Sequence, residues 1–191
     1  MAGIILSILT PAVPSRLDQL GKLCAEIERQ VGSLPVEHLV FLDNKRRTVG
    51  EKRDALLRTA RGKYVAFVDD DDWISDDYVN SLLTEAEKDP DVITFEQHCT
   101  VNGVAFIVEF GLGNPNEKPE PGKLIKRNAW HVCAWRRSIA ILSRFPAVNY
   151  GEDWAFAAPL CAILRLTSMH IPRVIHWYQH DAKTTEAPPP S

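Results

Sequence analysis

The sequence has few cysteines and no excess of basic residues, and both shortages exclude classes of protein. Its four cysteines are scattered along the chain and include no C-x-x-C pair. We therefore expect neither a disulfide scaffold nor a zinc site, and a reducing cytoplasm is the simplest predicted location. The formal net charge is −3, so no overall positive field draws the chain towards nucleic acid or a membrane surface.

Long apolar runs are missing as well. No stretch reaches the roughly 18 uninterrupted apolar residues that suggest a membrane-spanning helix, and residues 154–164, the longest candidate, are predicted to form a core helix. The apolar residues at the N-terminus follow no Lys or Arg, whereas a secretory signal begins with a basic region. We therefore interpret this segment as a buried first strand and predict a chain without a transmembrane segment.

Apolar and amphipathic segments alternate through the first half of the chain, whose 191 residues suit one domain. Predicted strands cover residues 3–9, 36–42, 64–68 and 92–95. Predicted helices between them cover residues 15–31, 49–60 and 76–88. This alternation is typical of an α/β fold in which helices flank a mostly parallel central sheet.

The second half is less regular. Its predicted elements are an antiparallel strand at residues 104–110, helices at 136–142 and 153–164, and a last strand at 174–178. The Gly- and Pro-rich residues 111–122 are predicted to form a surface loop. We expect a single domain over residues 1–181 and a disordered, Pro-rich tail over residues 182–191.

Three predicted strands end in polar clusters, at residues 10–16, 43–47 and 69–72. Ligands of such sheets bind beyond the carboxyl ends of the strands, so we expect these clusters to converge on one crevice. The third cluster is the strongest feature, since four aspartates follow a buried strand directly. Adjacent carboxylates repel one another unless a cation lies near them, and hard oxygen ligands favour magnesium, manganese or calcium.

The alternative interpretation of this run is a solvated acidic turn that caps the next helix. Asp76 and Asp77 fit that role better than the run does. We therefore predict that Asp69–Asp72 bind a nucleotide through a divalent metal.

The residues around the run resemble the core of glycosyltransferase family two. The resemblance is carried by Gly50-x-Lys52-Arg53, by Ala60-Arg61-Gly62-Lys63-Tyr64 and by the Asp-x-Asp motif of Asp69 and Asp71. It implies a GT-A type fold, with a Rossmann-like nucleotide-binding half and a small antiparallel acceptor side. It also implies an inverting enzyme that uses Mn²⁺ or Mg²⁺ to move a sugar from a nucleotide-sugar donor, expected to be a UDP-sugar, to an acceptor hydroxyl.

The resemblance further implies roles for individual residues. The residues that it assigns to the nucleotide are Thr10, Pro11, Arg16, Asp43, Lys52, Arg53, Asp69 and Asp70. Those that it assigns to the metal are Asp71 and Asp69, with a histidine of the closing strand, His180 or His176. Two departures from the family pattern, Asp54 and the basic triplet Lys45–Arg47, leave the identity of the nucleotide base open.

The pair Glu152-Asp153 resembles the family's second motif, whose aspartate is the catalytic base. A carboxylate within hydrogen-bond reach can accept the proton of an attacking hydroxyl. Alone, the pair could equally be acids of a first helical turn that favour the helix dipole. Its position some 80 residues after the Asp-x-Asp motif supports the catalytic interpretation of Asp153.

Further residues are expected beside the donor sugar or the acceptor. They are Glu152, Trp154, Arg136 and Trp135. For the last two, an alternative stays open in which the tryptophan is in the core and the arginine is in solvent. His176 and His180 lie four residues apart in an extended segment and so face the same side, and their spacing does not decide which one reaches the metal.

Three rival functions remain. Eight Lys or Arg residues lie between Lys45 and Lys63 against only two acids, which could indicate an enzyme that transfers sugar to a modified base in DNA. The acidic net charge favours the simpler view that Lys52 and Arg53 hold the donor diphosphate. A nucleotide-sugar-binding protein without catalysis is the second rival. A metal-dependent phosphoryl or nucleotidyl transferase is the third, but it has no need for Glu152-Asp153.

Overall fold

The computed structural model describes residues 3–180, and its first half is a parallel sheet. Strands β1 (Leu6–Ala12), β2 (Val36–Leu42) and β3 (Tyr64–Phe67) lie in the order β2-β1-β3, so β1 is paired on both sides. All seven residues of β1 are buried, as expected for a continuous apolar run covered on both faces.

Three helices connect and cover these strands. They are α1 (Leu17–Val31), which follows a short 3-10 turn, α2 (Val49–Thr59) and α3 (Tyr78–Ala86). Helix α1 buries Leu20, Leu23 and Ile27 at spacings of three and four, which places them on one face. Helix α2 begins with a reciprocal capping box between Thr48 and Glu51, which satisfies backbone N–H groups at its start.

The second half adds six strands and two short helices. The strands are β4 (Trp73–Ile74), β5 (Val92–Val101), β6 (Val104–Phe110), β7 (Leu124–Arg127), β8 (Ala134–Arg136) and β9 (Ser168–His180). The helices are α4 (Arg137–Ala140) and α5 (Glu152–Cys161). Together with the first three strands they form one open nine-stranded sheet, in the order β2-β1-β3-β8-β5-β6-β7, with β9 paired to β4 and β5.

The predicted α/β class with a mostly parallel central sheet is confirmed. The strict alternation of the first half is reproduced, but β5 and β9 are much longer than predicted. They pair in parallel along ten residues of β5. Polar residues interrupt the apolar pattern there: Gln97 lines a cleft on this face of the sheet, and His176 is buried beside Gln97.

The structure corrects the predicted length of the last helix, and the predicted tail lies outside the described residues. The predicted core helix at residues 154–164 ends at Cys161, and its Trp154 is 57% exposed. No helix within residues 3–180 is long and apolar enough to cross a membrane. The predicted disordered tail at residues 182–191 lies outside the described residues.

Candidate active site

A cleft of about 640 Å³ opens at the carboxyl ends of β1 and β3. Its wall at one end comes from the segments that follow β1, β2 and β3, and the N-terminus of α5 completes it. The strand-end clusters therefore do converge, as parallel strands require. The opposite wall is a face of the sheet formed by β5, β6 and β9.

The four aspartates after β3 have different partners. Asp70 is almost fully buried and accepts hydrogen bonds from the Val13 backbone N–H and the Arg16 guanidinium, each at 2.9 Å. A second nitrogen of Arg16 lies 2.9 Å from the Asp71 carboxylate. Arg16, from the turn after β1, thus holds two neighbouring carboxylates together.

Arg53 bridges the aspartate run to α5. Its guanidinium is buried and contacts the Asp69 carboxylate at 2.5 Å and the Glu152 carboxylate at 2.6 Å. Burial opposes the charge of Arg53, but the two carboxylates raise its pKa well above the ordinary value. This one side chain therefore connects the Asp-x-Asp motif to the Glu152-Asp153 pair.

The negative charge of the Asp71 carboxylate is only partly balanced by its neighbours. Burial is the largest cause that raises its pKa to about 6, and Asp69 and Asp70 raise it further, whereas Arg16 lowers it. A carboxyl group in this state is stabilised by another nearby cation.

Asp72 lies beneath the cleft beside His176. Its Oδ2 is 3.5 Å from His176 Nε2, and both side chains are buried. The Gln97 amide donates to His176 Nδ1 at 3.0 Å, and burial lowers the pKa of this histidine to about 4. His176 thus faces Asp72 within the protein, while His180 contributes to the lining of the cleft.

Of the residues predicted to contact the nucleotide, six line the cleft, whereas Asp43 and Thr10 do not. Those that line the cleft are Pro11, Arg16, Lys52, Arg53, Asp69 and Asp70. Asp43 stands behind Lys52, whose Nζ lies 3.2 Å from its carboxylate and donates to the Ala12 carbonyl at 3.0 Å. Burial would raise the pKa of Asp43, but hydrogen bonds from Lys52 and from the Arg47 backbone bring it below the ordinary value.

Thr10 does not reach the cleft. Its hydroxyl lies 2.9 Å from Nε2 of His38 on β2, and it is fully buried within the sheet. The expectation that Thr10 faces the nucleotide is corrected, because side chains alternate between the two faces of the sheet and Thr10 lies on the same face as His38.

Asp153 lies in the first turn of α5, on the cleft side. Its Oδ2 accepts a hydrogen bond from the Trp130 indole at 3.2 Å, and its Oδ1 accepts one from the Trp154 backbone N–H at 2.7 Å. The preceding Gly151 has a φ of 77°, a conformation that glycine adopts without strain. Trp130 is not among the predicted site residues, and nothing in its local pattern indicates this contact.

Trp135 and Arg136 are placed away from the cleft. Trp135 is fully buried, and its indole donates to the Trp130 carbonyl. Arg136 contacts the carboxylates of Asp89 and Asp91. The expectation that they face the sugar is corrected: β8 runs antiparallel to β3, so Arg136 pairs with the first residue of β3 and not with its aspartate end.

The cleft does not contain a complete set of protein ligands for a metal. Within residues 3–180, no group of three or more His, Cys, Asp or Glu side chains is arranged to hold an ion. Two carboxylates nevertheless fit a divalent cation. Asp69 Oδ1 is buried without a hydrogen-bond partner, and the side chain of Asp71 is 26% exposed at the cleft. Magnesium and manganese commonly bind one or two carboxylates and complete their shell with phosphates and water.

Comparison with known protein sequences gives matches to glycosyltransferases. The model of the family described as glycosyl transferase family 2 matches residues 24–139, which is more than half of the chain. EpsH of Bacillus subtilis (strain 168), a protein named as a glycosyltransferase, is 30% identical over 64 residues, or 30% of this chain and 19% of EpsH.

Solved structures match over nearly the whole chain. S. aureus TarS in complex with UDP-GlcNAc has a TM-score of 0.63 and 13% identity, and the match covers 96% of this chain and 62% of that chain. TarS in complex with UDP has a TM-score of 0.57 and 14% identity, and the match covers 92% of this chain and 60% of the TarS chain. At such identities the match shows a shared GT-A type fold. The chain spans less than two thirds of the length of these relatives.

Proposed function

Because the chain belongs to glycosyl transferase family 2, we propose that it transfers a sugar from a nucleotide-sugar donor to an acceptor hydroxyl. The observation that carries the proposal is the convergence of Asp69, Asp71 and Asp153 on one cleft. The first two follow β3 and the third begins α5, and Arg53 ties the two segments together through Glu152.

Cationic side chains at the donor end suit a diphosphate. Arg16, Lys45, Arg47 and Lys52 line the cleft around the aspartate run. Guanidinium and ammonium groups form charge-assisted hydrogen bonds to phosphate oxygens. A UDP-sugar is the donor that we propose, and the UDP-GlcNAc and UDP complexes of TarS, which shares the fold, support it.

We assign the metal to Asp69 and Asp71, with Mn²⁺ or Mg²⁺ as the ion. Asp69 contributes the buried oxygen that lacks a partner, and Asp71 contributes the carboxylate whose pKa is raised to about 6. When bound, such an ion stabilises the negative charge that develops on a departing diphosphate. His180 remains a candidate further ligand from the cleft wall, whereas His176 is engaged with Gln97 behind it.

Asp153 is the proposed catalytic base. The acceptor oxygen forms a bond to the anomeric carbon as the bond from that carbon to the diphosphate oxygen breaks, and the diphosphate leaves with the electron pair. Attack from the side opposite the leaving group inverts the anomeric centre. The acceptor proton passes to the Asp153 carboxylate, which the Trp130 indole holds in place.

Five of the eight basic residues in the run do not favour the rival DNA-modifying function. Lys52 and Arg53 are buried in the cleft wall. Of the others, Arg58 pairs with Asp54, Arg61 with Glu37 and Lys63 with Asp89. A backbone-tracking surface needs cations that are available to phosphates. The cytoplasmic location stays a prediction, as does the view that the chain is catalytically active.

A thermal-shift titration with UDP-GlcNAc and MnCl₂ tests the donor and the metal together. A ligand that binds only the folded state raises the melting temperature, so we expect a rise that needs both components. Asp71→Asn should abolish the metal-dependent part of that rise. Asp76→Asn removes an exposed carboxylate outside the cleft and should leave it intact. An equal rise without metal, or an unchanged rise in Asp71→Asn, would count against the assignment.

A further inference from the structure

The wall of the cleft opposite the nucleotide end is a sheet face with a different chemistry. Because side chains alternate along strands, the strand pairing places one set of residues of β5, β6, β7 and β9 on this face. Most of these side chains are apolar. We call the apolar residues of this set that line the cleft the apolar floor. They are Cys99, Val101, Phe106, Val108, Phe110 and Tyr178.

Arg127 is a basic residue beside the apolar floor, on the edge strand β7. It is the last residue of β7, lies opposite Phe110 in the strand pairing and lines the cleft. Its Nε is buried without a hydrogen-bond partner, and its guanidinium makes no hydrogen bond or ion pair with any other residue between 3 and 180. Arg16, Lys52 and Arg53 at the nucleotide end, by contrast, are all paired with carboxylates.

The charge of Arg127 acts on the apolar floor itself. Burial raises the pKa of the Cys99 thiol to about 12, and Arg127 opposes that rise. Burying part of a charged group without a counter-charge costs stability. The buried Nε of Arg127 is therefore without a partner in the free protein and gains one when an anion pairs with the guanidinium.

We propose that Arg127 binds an oxyanion of the acceptor, a phosphate or carboxylate attached to an apolar segment that lies on the apolar floor. Guanidinium matches both oxyanions through two parallel hydrogen bonds, and apolar surroundings strengthen such bonds. An uncharged, fully polar glycan would leave Arg127 unpaired and the floor in contact with hydroxyl groups. The inference rests on the proposed function only in taking this part of the cleft as the acceptor side.

Isothermal titration calorimetry with three simple probes tests the site on the full chain. The probes are hexyl phosphate, hexanoate and hexanol, which share one apolar segment. We expect at least one of the two anions to bind about tenfold or more tightly than hexanol, as charge-assisted hydrogen bonds require. Arg127→Gln should remove that difference.

Two matched arginine variants serve as controls. Arg47→Gln removes an exposed cation at the nucleotide end of the cleft, and Arg144→Gln removes an exposed cation outside it. Both should keep the preference for the anions. If neither anion binds more tightly than hexanol, or if Arg127→Gln keeps the preference, the proposal is overturned. Loss of the preference in Arg47→Gln alone overturns it too, because the anion then occupies the nucleotide end.

Parallel titrations with UDP-GlcNAc and Mn²⁺ separate this inference from the proposed function. Arg127→Gln should bind the donor as the wild type does. If the wild type binds no donor but its anion preference still depends on Arg127, the proposed function fails and the oxyanion site stands. Since the side chain has no partner to lose, Arg127→Gln should melt no lower than the wild type. Should it unfold, Arg127→Lys keeps the charge but not the two-point geometry, and a severalfold loss of anion affinity is expected instead.

Discussion

Replacing Arg53 by glutamine should destabilise the fold as well as the site. The guanidinium is only 5% exposed, and it contacts Asp69 and Glu152, whose side chains are 25% and 6% exposed. Its removal leaves two carboxylates close together without a counter-charge. Breaking a buried ion pair by removing one partner costs about 3–5 kcal/mol, since the remaining charge is stranded.

The partial exposure of Asp69 argues for the lower end of that range, about 3 kcal/mol. For a domain of this size, each kcal/mol lowers the melting temperature by about 2–4 °C, so we expect a fall of roughly 6–12 °C. Urea unfolding at constant m-value measures the free energy directly. The matched control is Arg61→Gln, which breaks the ion pair of a 73% exposed arginine with Glu37 and should cost less than about 1 kcal/mol.

The pH dependence of the stability lost in Arg53→Gln identifies the cause of that loss. Burial raises the pKa of Glu152 and Arg53 lowers it, so removal of Arg53 raises it further. A carboxyl group whose pKa is higher in the folded state binds more protons there, and stability then falls as pH rises through that window. The deficit of Arg53→Gln should therefore be largest at about pH 7–8 and smallest near about pH 4–5, where Glu152 is protonated.

A double variant completes the test. Arg53→Gln/Glu152→Gln replaces one stranded charge by a neutral amide and should recover part of the lost stability at neutral pH. A loss in Arg53→Gln no greater than that of Arg61→Gln would refute the reasoning. So would a deficit that does not change with pH, because stranded carboxylates could not then be its source.

Two further predictions concern catalysis and packing. Asp153→Asn should keep UDP-GlcNAc binding but lower turnover about a hundredfold or more, which is the contribution expected of a general base. Release of UDP in a coupled assay measures turnover. Normal turnover would rule out the assignment of Asp153 as the base. Gly50→Ala should lower the urea midpoint clearly, because its Cβ would lie 1.8 Å from the Pro146 carbonyl oxygen. Gly21→Ala, at a helical position with open space around the added atom, should raise that midpoint, and equal effects of the two changes would contradict this packing argument.

The first half of the fold was predictable because its signals are local. A strand covered on both faces is a continuous apolar run, and the helices between such strands carry apolar residues at spacings of three and four. Each of these patterns is complete within about fifteen residues. The family resemblance extends the same information to the aspartate run, since the run directly follows β3.

The second half was less predictable because its elements depend on distant pairing. Strand β8 has three residues and is inserted between β3 and β5. Its antiparallel direction alone decides that Arg136 meets Asp89 and Asp91 instead of the cleft. No local sequence pattern predicts the direction of a partner strand. The predicted roles of Trp135 and Arg136 could therefore not be checked from the sequence.

The aspartate run shows how such distant contacts turn four like residues into different groups. Asp70 is held by the Val13 backbone and by Arg16, and Asp72 is buried beside His176. Both partner sets come from other parts of the chain, and both of these carboxylates are only 2% exposed. The remaining two side chains, those of Asp69 and Asp71, are 25% and 26% exposed. The two positions that match the Asp-x-Asp motif are thus the two whose carboxylates are accessible from the cleft, which is the physical reason to place the metal on them.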